Sequence, residues 1–541
     1  MNGKSENYKV LYITQGKSLG GSVRSLLNML QAVKGYGIIP MVVIPQSGVV
    51  EKELNCLDVK NFVIPYIAGY GRVGTASKEK ADTALRNNYK TAFTIREIIK
   101  NEQIDLVHIN ESPCHIGALA ALMADVPYVW HIREFMEEDF GFEFWDKELK
   151  IELFQNSDQM ISISKCISKK YKEDYGIDSI QIYNGLDTKA YKGKGEEVNF
   201  ELHNFIITGT ITPAKGQLDA VKAVELLVQE GYEDVHLMLV GGGQYFPWFI
   251  KRYIQKHSLE NNVEVISFQN DLKELRKKCP YALTTSRMEA LGRCTIEAML
   301  AGSIVIGADT GGTKEIIGSD ETRGFLYKQG DYTDLASVMK RLMSESTEIK
   351  TKCCKRAQEY AEDVFSLEKY GSKMVALYEK VIDSYKLKDR TKRKELLKRI
   401  TKRYEIVNAD LKGYVIDNRD NQACIEKWSD LQKKNINLGN VLKELGYHTV
   451  AIYGMGKIGC RLYDELESAE ISIPYVIDQV SGHWKELFEV RTPNDVPTGV
   501  DLILVSVYTE EGSIVEYYKN NFDCSVIGIG QLLQMALETT K

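Results

Sequence analysis

Short β-branched runs alternate with longer amphipathic stretches along almost the whole chain, and this alternation restricts the fold more than any other feature. Between residues 8 and 190, Tyr8–Ile13, Met41–Ile44, Ile104–Ile109, Tyr128–Ile132, Gln159–Ile163 and Ser179–Tyr183 read as strands separated by helical patterns. Strand, helix and strand repeated so often implies right-handed crossovers and a parallel sheet with helices on both faces. The polar stretch Lys192–Asn199 interrupts the pattern, which restarts with Phe205–Thr208, His236–Val240, Val263–Ser267, Tyr281–Thr285 and Ser303–Gly307. A long helical pattern, Ser366–Tyr385, ends this second unit.

The alternation returns a third time near the end of the chain. Val450–Tyr453, Tyr475–Ile477, Asp501–Val507 and Ser525–Ile529 are its strand candidates. At roughly 150 residues per unit, a chain of 541 residues has room for three or four folded units. The expected division is 1–192 and 200–385 for two Rossmann-like domains, 386–440 for a basic helical linker, and 441–541 for a third Rossmann-like domain. Lys386–Arg403 contains ten basic and two acidic residues. It reads either as an exposed linker helix or as a basic amphipathic surface for anionic lipid or an acidic partner.

Composition removes several function classes. Lys and Arg number 69 against 75 Asp and Glu, a net charge of −6, so the chain has no overall field for wrapping nucleic acid. No apolar stretch approaches the roughly 20 residues that span a bilayer. The start, Met1-Asn-Gly-Lys-Ser-Glu-Asn, lacks the apolar core of a secretory signal, so a cytoplasmic protein is expected. The 10 cysteines show no C-x-x-C pair and no metal-type spacing, which fits free thiols and predicts no metal site.

Glycine loops follow the first strand of each unit. Gly16-Lys-Ser-Leu-Gly20-Gly21-Ser22 follows Tyr8–Ile13 and opens a helix, where backbone N–H groups can face an anion. It lacks the GK[ST] ending of a P-loop, so an ATPase reading has no support. Gly209-Thr210-Ile-Thr-Pro-Ala-Lys215-Gly216 repeats the arrangement and adds a lysine at the helix start, which suits a diphosphate.

The richest segment is Ser286-Arg-Met-Glu289-Ala-Leu-Gly292-Arg293-Cys-Thr-Ile-Glu297-Ala-Met-Leu-Ala-Gly302, followed by Asp309-Thr-Gly311-Gly312-Thr-Lys-Glu315. Glu289 precedes a helix predicted to begin near Arg293, and Glu297 lies one turn inside it. Both carboxylates can face a cleft and accept hydrogen bonds from sugar hydroxyls.

Glu289 and Glu297 form an E-x7-E motif inside E-A-L-G-R-x-T-x-E-A-M-x-A-G, followed by G-G-x-x-E, and this segment resembles the retaining glycosyltransferases of family 4. The supporting motifs occur in the order of that family: Gly20-Gly21, His131-Ile-Arg133-Glu134-Phe135, Ser162-x-Ser164, Asn184-Gly185-Leu-Asp187, Lys215-Gly216 and Val240-Gly241-Gly242-Gly243. The resemblance covers about residues 8 to 385.

It implies the GT-B fold, two facing Rossmann-like domains with the acceptor mainly on the first and a UDP- or GDP-sugar donor mainly on the second. Glu297 would hold the ribose, Glu289 the hydroxyls of the transferred sugar, and Lys215 the diphosphate. Gly21, beside Gly20, would lend an N–H to the phosphate, and His131 would sit beside the reacting sugar. Gly292, Arg293, Gly311 and Gly312 would shape the surrounding loops. The family usually needs no metal and transfers with retention, to a glycan or lipid-linked acceptor of a surface polysaccharide such as capsule. One departure stands out: Thr210 occupies the position where many relatives carry arginine, so the phosphate clamp has one charge fewer unless Arg293 or another base substitutes. The aromatic stretch Phe135 to Trp145 reads as ordinary packing or as an acceptor lining.

Gly454-Met-Gly456-Lys-Ile-Gly459 lies between a strand and a helix, with Asp478 ending the next strand. That is the context of a dinucleotide fingerprint, pyrophosphate on the helix start and Asp on a ribose hydroxyl. It resembles NAD(P)-binding modules appended to some bacterial polysaccharide-synthesis enzymes. The expected protein is therefore a cytoplasmic glycosyltransferase, with peripheral contact at the inner face of the plasma membrane. Two alternatives remain at this point: an NAD(P)-dependent sugar-nucleotide enzyme, and a non-catalytic scaffold of a synthesis complex.

Overall fold

The structure, a computed structural model, describes residues 7–192, 198–409, 420–479, 482–508 and 511–538. The first six residues, residues 193–197 of the polar stretch and residues 410–419 of the basic linker lie outside the described residues. Contacts divide the chain into two compact units. One comprises residues 1–209, 214–239 and 269–413; the other comprises 210–213, 240–268 and 414–541.

The first unit holds a seven-stranded parallel sheet in the order Lys60–Val63, Ile38–Ile44, Tyr8–Ile13, Leu106–Ile109, Tyr128–Ile132, Gln159–Ser162, Ile180–Gln181. Strands that follow Tyr8–Ile13 go first to one side of it and then to the other. The order therefore reverses between Tyr8–Ile13 and Leu106–Ile109, and ligands of open α/β sheets bind beyond the carboxyl ends of strands at such a point. The same unit holds strands of a second sheet in the order His236–Val240, Asn204–Thr208, Tyr281–Thr284, Ile304–Ala308, Phe325–Tyr327, which reverses between Asn204–Thr208 and Tyr281–Thr284. The loops that end at Lys215 and that carry Glu289 leave these two neighbouring strands on the same edge.

The strands expected from alternation are present, four with the expected ends: Tyr8–Ile13, Tyr128–Ile132, His236–Val240 and Val450–Tyr453. Lys60–Val63, Phe325–Tyr327 and an antiparallel pair, Tyr70–Arg72 with Phe142–Phe144, were not expected. Each is three or four residues long, too short for alternation to stand out against its flanks.

The helix Leu367–Lys386 differs from expectation in place. Sequence order assigns it to the second sheet's domain, yet it packs on the core of the first sheet, where Tyr370, Met374 and Tyr378 join Val10, Tyr12 and Leu30. Tyr378 Oη lies 2.8 Å from His108 Nδ1 and 3.2 Å from Tyr12 Oη. Gly371 permits the approach, since a Cβ there would sit 2.7 Å from the carbonyl oxygen of Ala32.

The basic segment, expected as an exposed linker helix or a basic amphipathic surface, is a helix with one buried stripe. Helix Thr391–Ala409 buries Arg393, Leu396 and Ile400. Arg393 Nη1 meets Asp158 at 2.7 Å, with both side chains at most 5% exposed, and its Nη2 donates to the carbonyl of Val126. Lys388, Arg390, Arg399 and Arg403 pair with Asp158, Asp125, Glu152, and Asp82 with Asp146. These acids complement a basic strip that sequence alone left unpaired. Arg393→Ala leaves the buried Asp158 carboxylate with Lys388 and the amide of Tyr128, so chemical denaturation should show a loss of about 2 kcal/mol, below the full cost of breaking a buried pair.

The second unit contains a five-stranded parallel sheet in the order Val490–Arg491, Val476–Ile477, Val450–Tyr453, Leu502–Val505, Val526–Gly528. It also contains strand Val263–Ile266 and helix Phe246–Lys256. Trp248 Nε1 donates to both carboxylate oxygens of Asp464 at 2.8 Å, and Phe249 packs on His483 and Trp484.

Candidate active site

Three strand ends of the first sheet meet in a buried polar floor. Arg133, 5% exposed, donates from Nε to Asn110 Oδ1 at 2.9 Å and from Nη1 to Asn184 Oδ1. Its Nη2 lies 3.3 Å from His131 Nδ1. His131 is fully buried, and burial, with Arg133 and His108 adding to it, pushes its pKa well below the ordinary value. It is therefore neutral. Because the Arg133 guanidinium can only donate, Nδ1 is the acceptor and the ring proton of the neutral imidazole sits on Nε2, which has no partner among the described residues.

Beside these residues Glu134 accepts from the amide and hydroxyl of Ser112. Burial and the nearby Glu111 carboxylate push it up to about 7. Lys150 Nζ, 3% exposed, donates to the carbonyl of Ser112 at 2.6 Å, and burial lowers its pKa to about 7. Helix Gly21–Lys34 opens at Gly20 with no side-chain cap, and neither Gly20 nor Gly21 has an atom within 4 Å of where a Cβ would stand. Its first N–H groups are left without side-chain acceptors at the carboxyl end of Tyr8–Ile13.

The second sheet supplies the charged pair. A 3-10 turn, Pro213–Lys215, leads through Gly216 into helix Gln217–Gln229. Gly216 has φ +65° and a Cβ there would stand 2.1 Å from the carbonyl oxygen of Thr285, so only glycine fits. Lys215 Nζ meets Glu289 Oε2 at 2.8 Å, the side chains one-third and one-fifth exposed. Burial opposes the charge on Lys215, but the carboxylates of Glu289 and Asp139 hold its pKa above that of an ordinary lysine.

Glu289 sits in the loop before helix Arg293–Leu300, which Gly292 caps. The Gly311-Gly312 turn lies under this loop: the amide of Gly312 donates to the carbonyl of Glu289 at 2.7 Å, and a Cβ on Gly312 would come 2.4 Å from the oxygen of Leu291. Glu297 lies inside the helix. Arg293 Nε reaches its Oε1 at 2.7 Å and Arg276 Nη2 its Oε2 at 3.0 Å. Burial would raise the carboxyl's pKa, yet the two guanidinium groups outweigh it and hold it below the usual range. Arg293 Nη2 also donates to Tyr191 Oη at 3.0 Å, while its Nη1 is buried with no partner. The two glutamates are thus served by separate cations.

Two members of this constellation escaped the sequence reading. Arg276 is on the short helix Lys273–Lys277, in a lysine-rich stretch that offers no motif. Asp139 lies on helix Met136–Phe140. Burial, with Glu289 adding to it against Lys215, pushes Asp139 up to about 7. The run Glu137-Glu138-Asp139 inside an aromatic stretch was its only signal. Glu315, the acid of the G-G-x-x-E motif, accepts from the amides of Lys165 and Cys166 and from Tyr183 Oη at 2.6 Å.

Thr210 belongs to the second unit, where the amide of its neighbour Ile211 donates to the carbonyl of Gly242 at 2.7 Å. In the same unit Gly454 has φ +89°, Gly456 starts helix Lys457–Ser468 without a side-chain cap, and a Cβ on Gly459 would stand 2.0 Å from the oxygen of Gly454. Asp478 Oδ2 accepts from the amide of Met455, inside the turn, at 2.8 Å. Among the described residues no three His, Cys, Asp or Glu side chains are grouped to hold a metal, and no helix is long and apolar enough to cross a membrane.

Residues 19–190 match the family described as Glycosyltransferase Family 4, and residues 196–364 match Glycosyl transferases group 1. By these two domains the chain is a glycosyltransferase of GT-B type. An uncharacterized glycosyltransferase of Methanocaldococcus jannaschii is 25% identical to this glycosyltransferase over 312 residues, 55% of this chain and 81% of the relative. The poly(glycerol-phosphate) alpha-glucosyltransferase of Bacillus subtilis is 27% identical over 173 residues, 32% of this chain and 24% of the relative. The crystal structure of Anabaena HepE in complex with UDP shares the fold with a TM-score of 0.58 at 20% identity, covering 69% of the glycosyltransferase and 100% of HepE. S. aureus TarM, in complex with Fondaparinux, alpha-GlcNAc-glycerol and UDP, gives 0.56 at 13% identity, covering 69% and 99%.

Proposed function

We propose that this glycosyltransferase moves a hexosyl group, with retention and without a metal, from a UDP- or GDP-sugar to a glycan or lipid-linked glycan acceptor in surface-polysaccharide synthesis. The observation that carries the reading is the pair of carboxylates held by separate cations, Glu289 on Lys215 and Glu297 between Arg276 and Arg293. In this reading residues 1–192 form the acceptor side, 200–385 the donor side, and 441–541 a dinucleotide-type module.

Breaking a glycosyl–phosphate bond builds negative charge on the departing diphosphate and positive charge on the sugar. Lys215 leaves Glu289 for the diphosphate, and the released carboxylate accepts from the hydroxyls of the transferred sugar. Glu297 takes the ribose hydroxyls. Gly20 and Gly21 present the open helix start to the phosphate. His131, neutral and with its proton on Nε2, donates to a sugar hydroxyl. Gly292, Gly311 and Gly312 keep the backbone around Glu289 close-packed. Arg293, with Nη1 unpartnered, takes the place of the arginine that Thr210 replaces. With retention, the acceptor hydroxyl attacks the face the diphosphate leaves, and a phosphate oxygen receives its proton.

The C-terminal glycine turn fits a dinucleotide pyrophosphate: Gly456 is open, the helix start is uncapped and Gly459 allows close packing. Gly454, Gly456, Gly459 and Asp478 would hold NAD(P), which would supply no step of the transfer. Exposed Lys394, Lys398 and Lys402 recur every four residues on helix Thr391–Ala409 and support peripheral contact with an anionic membrane from the cytoplasmic side.

The deciding experiment is a thermal-shift series with UDP, GDP, ADP, CMP, their sugar conjugates and NAD(P). UDP or GDP should raise the midpoint, and Glu297→Gln should weaken that nucleotide roughly tenfold or more by losing the charged acceptor of the ribose hydroxyls. If no nucleotide diphosphate raises the midpoint, the donor assignment falls. The anomeric configuration of the product, read by NMR, decides retention.

A further inference from the structure

Glu297 brings one negative charge and is held by two guanidinium groups, so the cluster it forms with Arg276 and Arg293 keeps one positive charge uncancelled. Arg276 Nη2 meets Oε2 at 3.0 Å and Arg293 Nε meets Oε1 at 2.7 Å, with side-chain exposures of 8% for Arg276, 19% for Arg293 and 12% for Glu297. All three belong to the first unit, as does Tyr191. Among the described residues, the groups packed on the cluster leave that charge standing. Tyr191 accepts from Arg293 Nη2 at 3.0 Å, with its ring 5.8 Å from the Arg276 guanidinium, and burial raises its pKa, so it is a neutral phenol. Cys294 is a neutral thiol, pushed up to about 11 chiefly by burial. Helix Arg293–Leu300 has no other charged residue. On the two short helices of Tyr191 and Arg276, Lys192 pairs with Glu362 and Lys277 with Glu274, while Asp187, Lys189, Lys273 and Lys278 are exposed, where salt screens them.

The lysine beside the other glutamate has no such surplus. Lys215 faces Glu289 at 2.8 Å, and Asp139 acts on it as a further acid. A donor diphosphate therefore meets a charge there that is already answered, and Thr210 adds none. With Arg293 alone on Glu297 the second cluster would cancel as well, since the two form an ordinary i, i+4 pair. Arg276 is the residue that tips the balance. A ribose held at Glu297 carries its diphosphate on the 5′ oxygen, inside the roughly 8 Å over which physiological salt screens a charge, and the partly buried setting strengthens the attraction further.

We propose that Arg276 is a positioning residue for the donor diphosphate: by taking one oxygen of Glu297 it leaves the charge of Arg293 uncancelled, and the cluster supplies the attraction that Thr210 does not. This rests on the glycosyl-transfer reading and deepens it, because it assigns the missing clamp charge to a residue outside the E-x7-E segment. Arg276 acts through Glu297 and Arg293, without touching the phosphates itself.

The test titrates the full chain with UDP and uridine, and with GDP and guanosine, the diphosphates by calorimetry and the nucleosides by displacement. The quantity read is the ratio of the nucleoside's dissociation constant to that of its diphosphate, in which any loss at the ribose cancels. Arg276→Gln should lower this ratio about tenfold, and Arg276→Lys should keep it within about threefold of the parent's. Glu297→Gln, which uncovers both guanidinium groups, should raise it. In the double variant Arg276→Gln with Glu297→Gln, Arg293 is again uncancelled, so the ratio should return to the parent's value although both ligands bind more weakly. A ratio unchanged in Arg276→Gln, one that fails to rise in Glu297→Gln, or one that falls further in the double variant, as loss of a merely structural contact would make it, overturns the role of Arg276 while UDP or GDP binding to the parent upholds the donor reading. If neither diphosphate binds the parent, the donor reading falls and this role falls with it.

Discussion

Lys215→Met lowers kcat/KM for sugar transfer by about a thousandfold, the loss expected when a preorganised cation at the developing charge is removed. Such a factor corresponds to about 4 kcal/mol of transition-state stabilisation. Its size follows from where the ammonium sits: one-third exposed, 2.8 Å from Glu289, with a second carboxylate, Asp139, acting on it. The methionine stem preserves the packing, so the thermal midpoint without ligand should stay near that of the parent. Initial rates with a radiolabelled nucleotide sugar measure the effect. A variant retaining a tenth of the parent's rate removes Lys215 from the chemistry and leaves it as a structural partner of Glu289.

Glu134→Gln changes the pH dependence of folding. The Glu134 carboxyl has its pKa raised from 4.5 to about 7 in the folded chain, burial first and Glu111 second. Between those values the folded state holds a proton that the unfolded state has lost, so stability falls as pH rises from about 4.5 to about 7 and is level above that. Glutamine carries no such proton and its variant lacks the decline. It should be more stable than the parent at pH 8 by about 3 kcal/mol relative to their difference at pH 4, since a tenfold change in proton affinity is worth about 1.4 kcal/mol. Denaturant midpoints at the two pH values measure this. Parallel pH profiles for the two proteins would show that Glu134 is ionised throughout, stabilised by Ser112 and Lys150.

Much of the site could be read in the sequence because its groups are local. Glu289, Gly292, Arg293 and Glu297 fall within one turn-and-helix, and the Gly311-Gly312 turn that packs under them follows after one strand. Lys215-Gly216 is legible because a helix start after a strand permits only certain residues. Arg276 and Asp139 were not legible. Their roles come from long-range approach, Arg276 to a carboxylate 21 residues on and Asp139 to a lysine on another sheet's edge, and neither has a spacing that announces it.

Side-chain period and backbone freedom act over a few residues, so they are written directly in the order of amino acids. From them come the alternation, the three parallel sheets and the glycine turns at the carboxyl ends of their first strands. Long-range packing decided that helix Leu367–Lys386 lies on the first sheet's core, that the basic strip after it finds Asp125, Asp158 and Asp146, and that His131 is buried and neutral. An amphipathic helix states that it has a face to bury and a charged strip states that it has a field. Which surface accepts them depends on where distant segments meet, and burial then sets the protonation of the groups between.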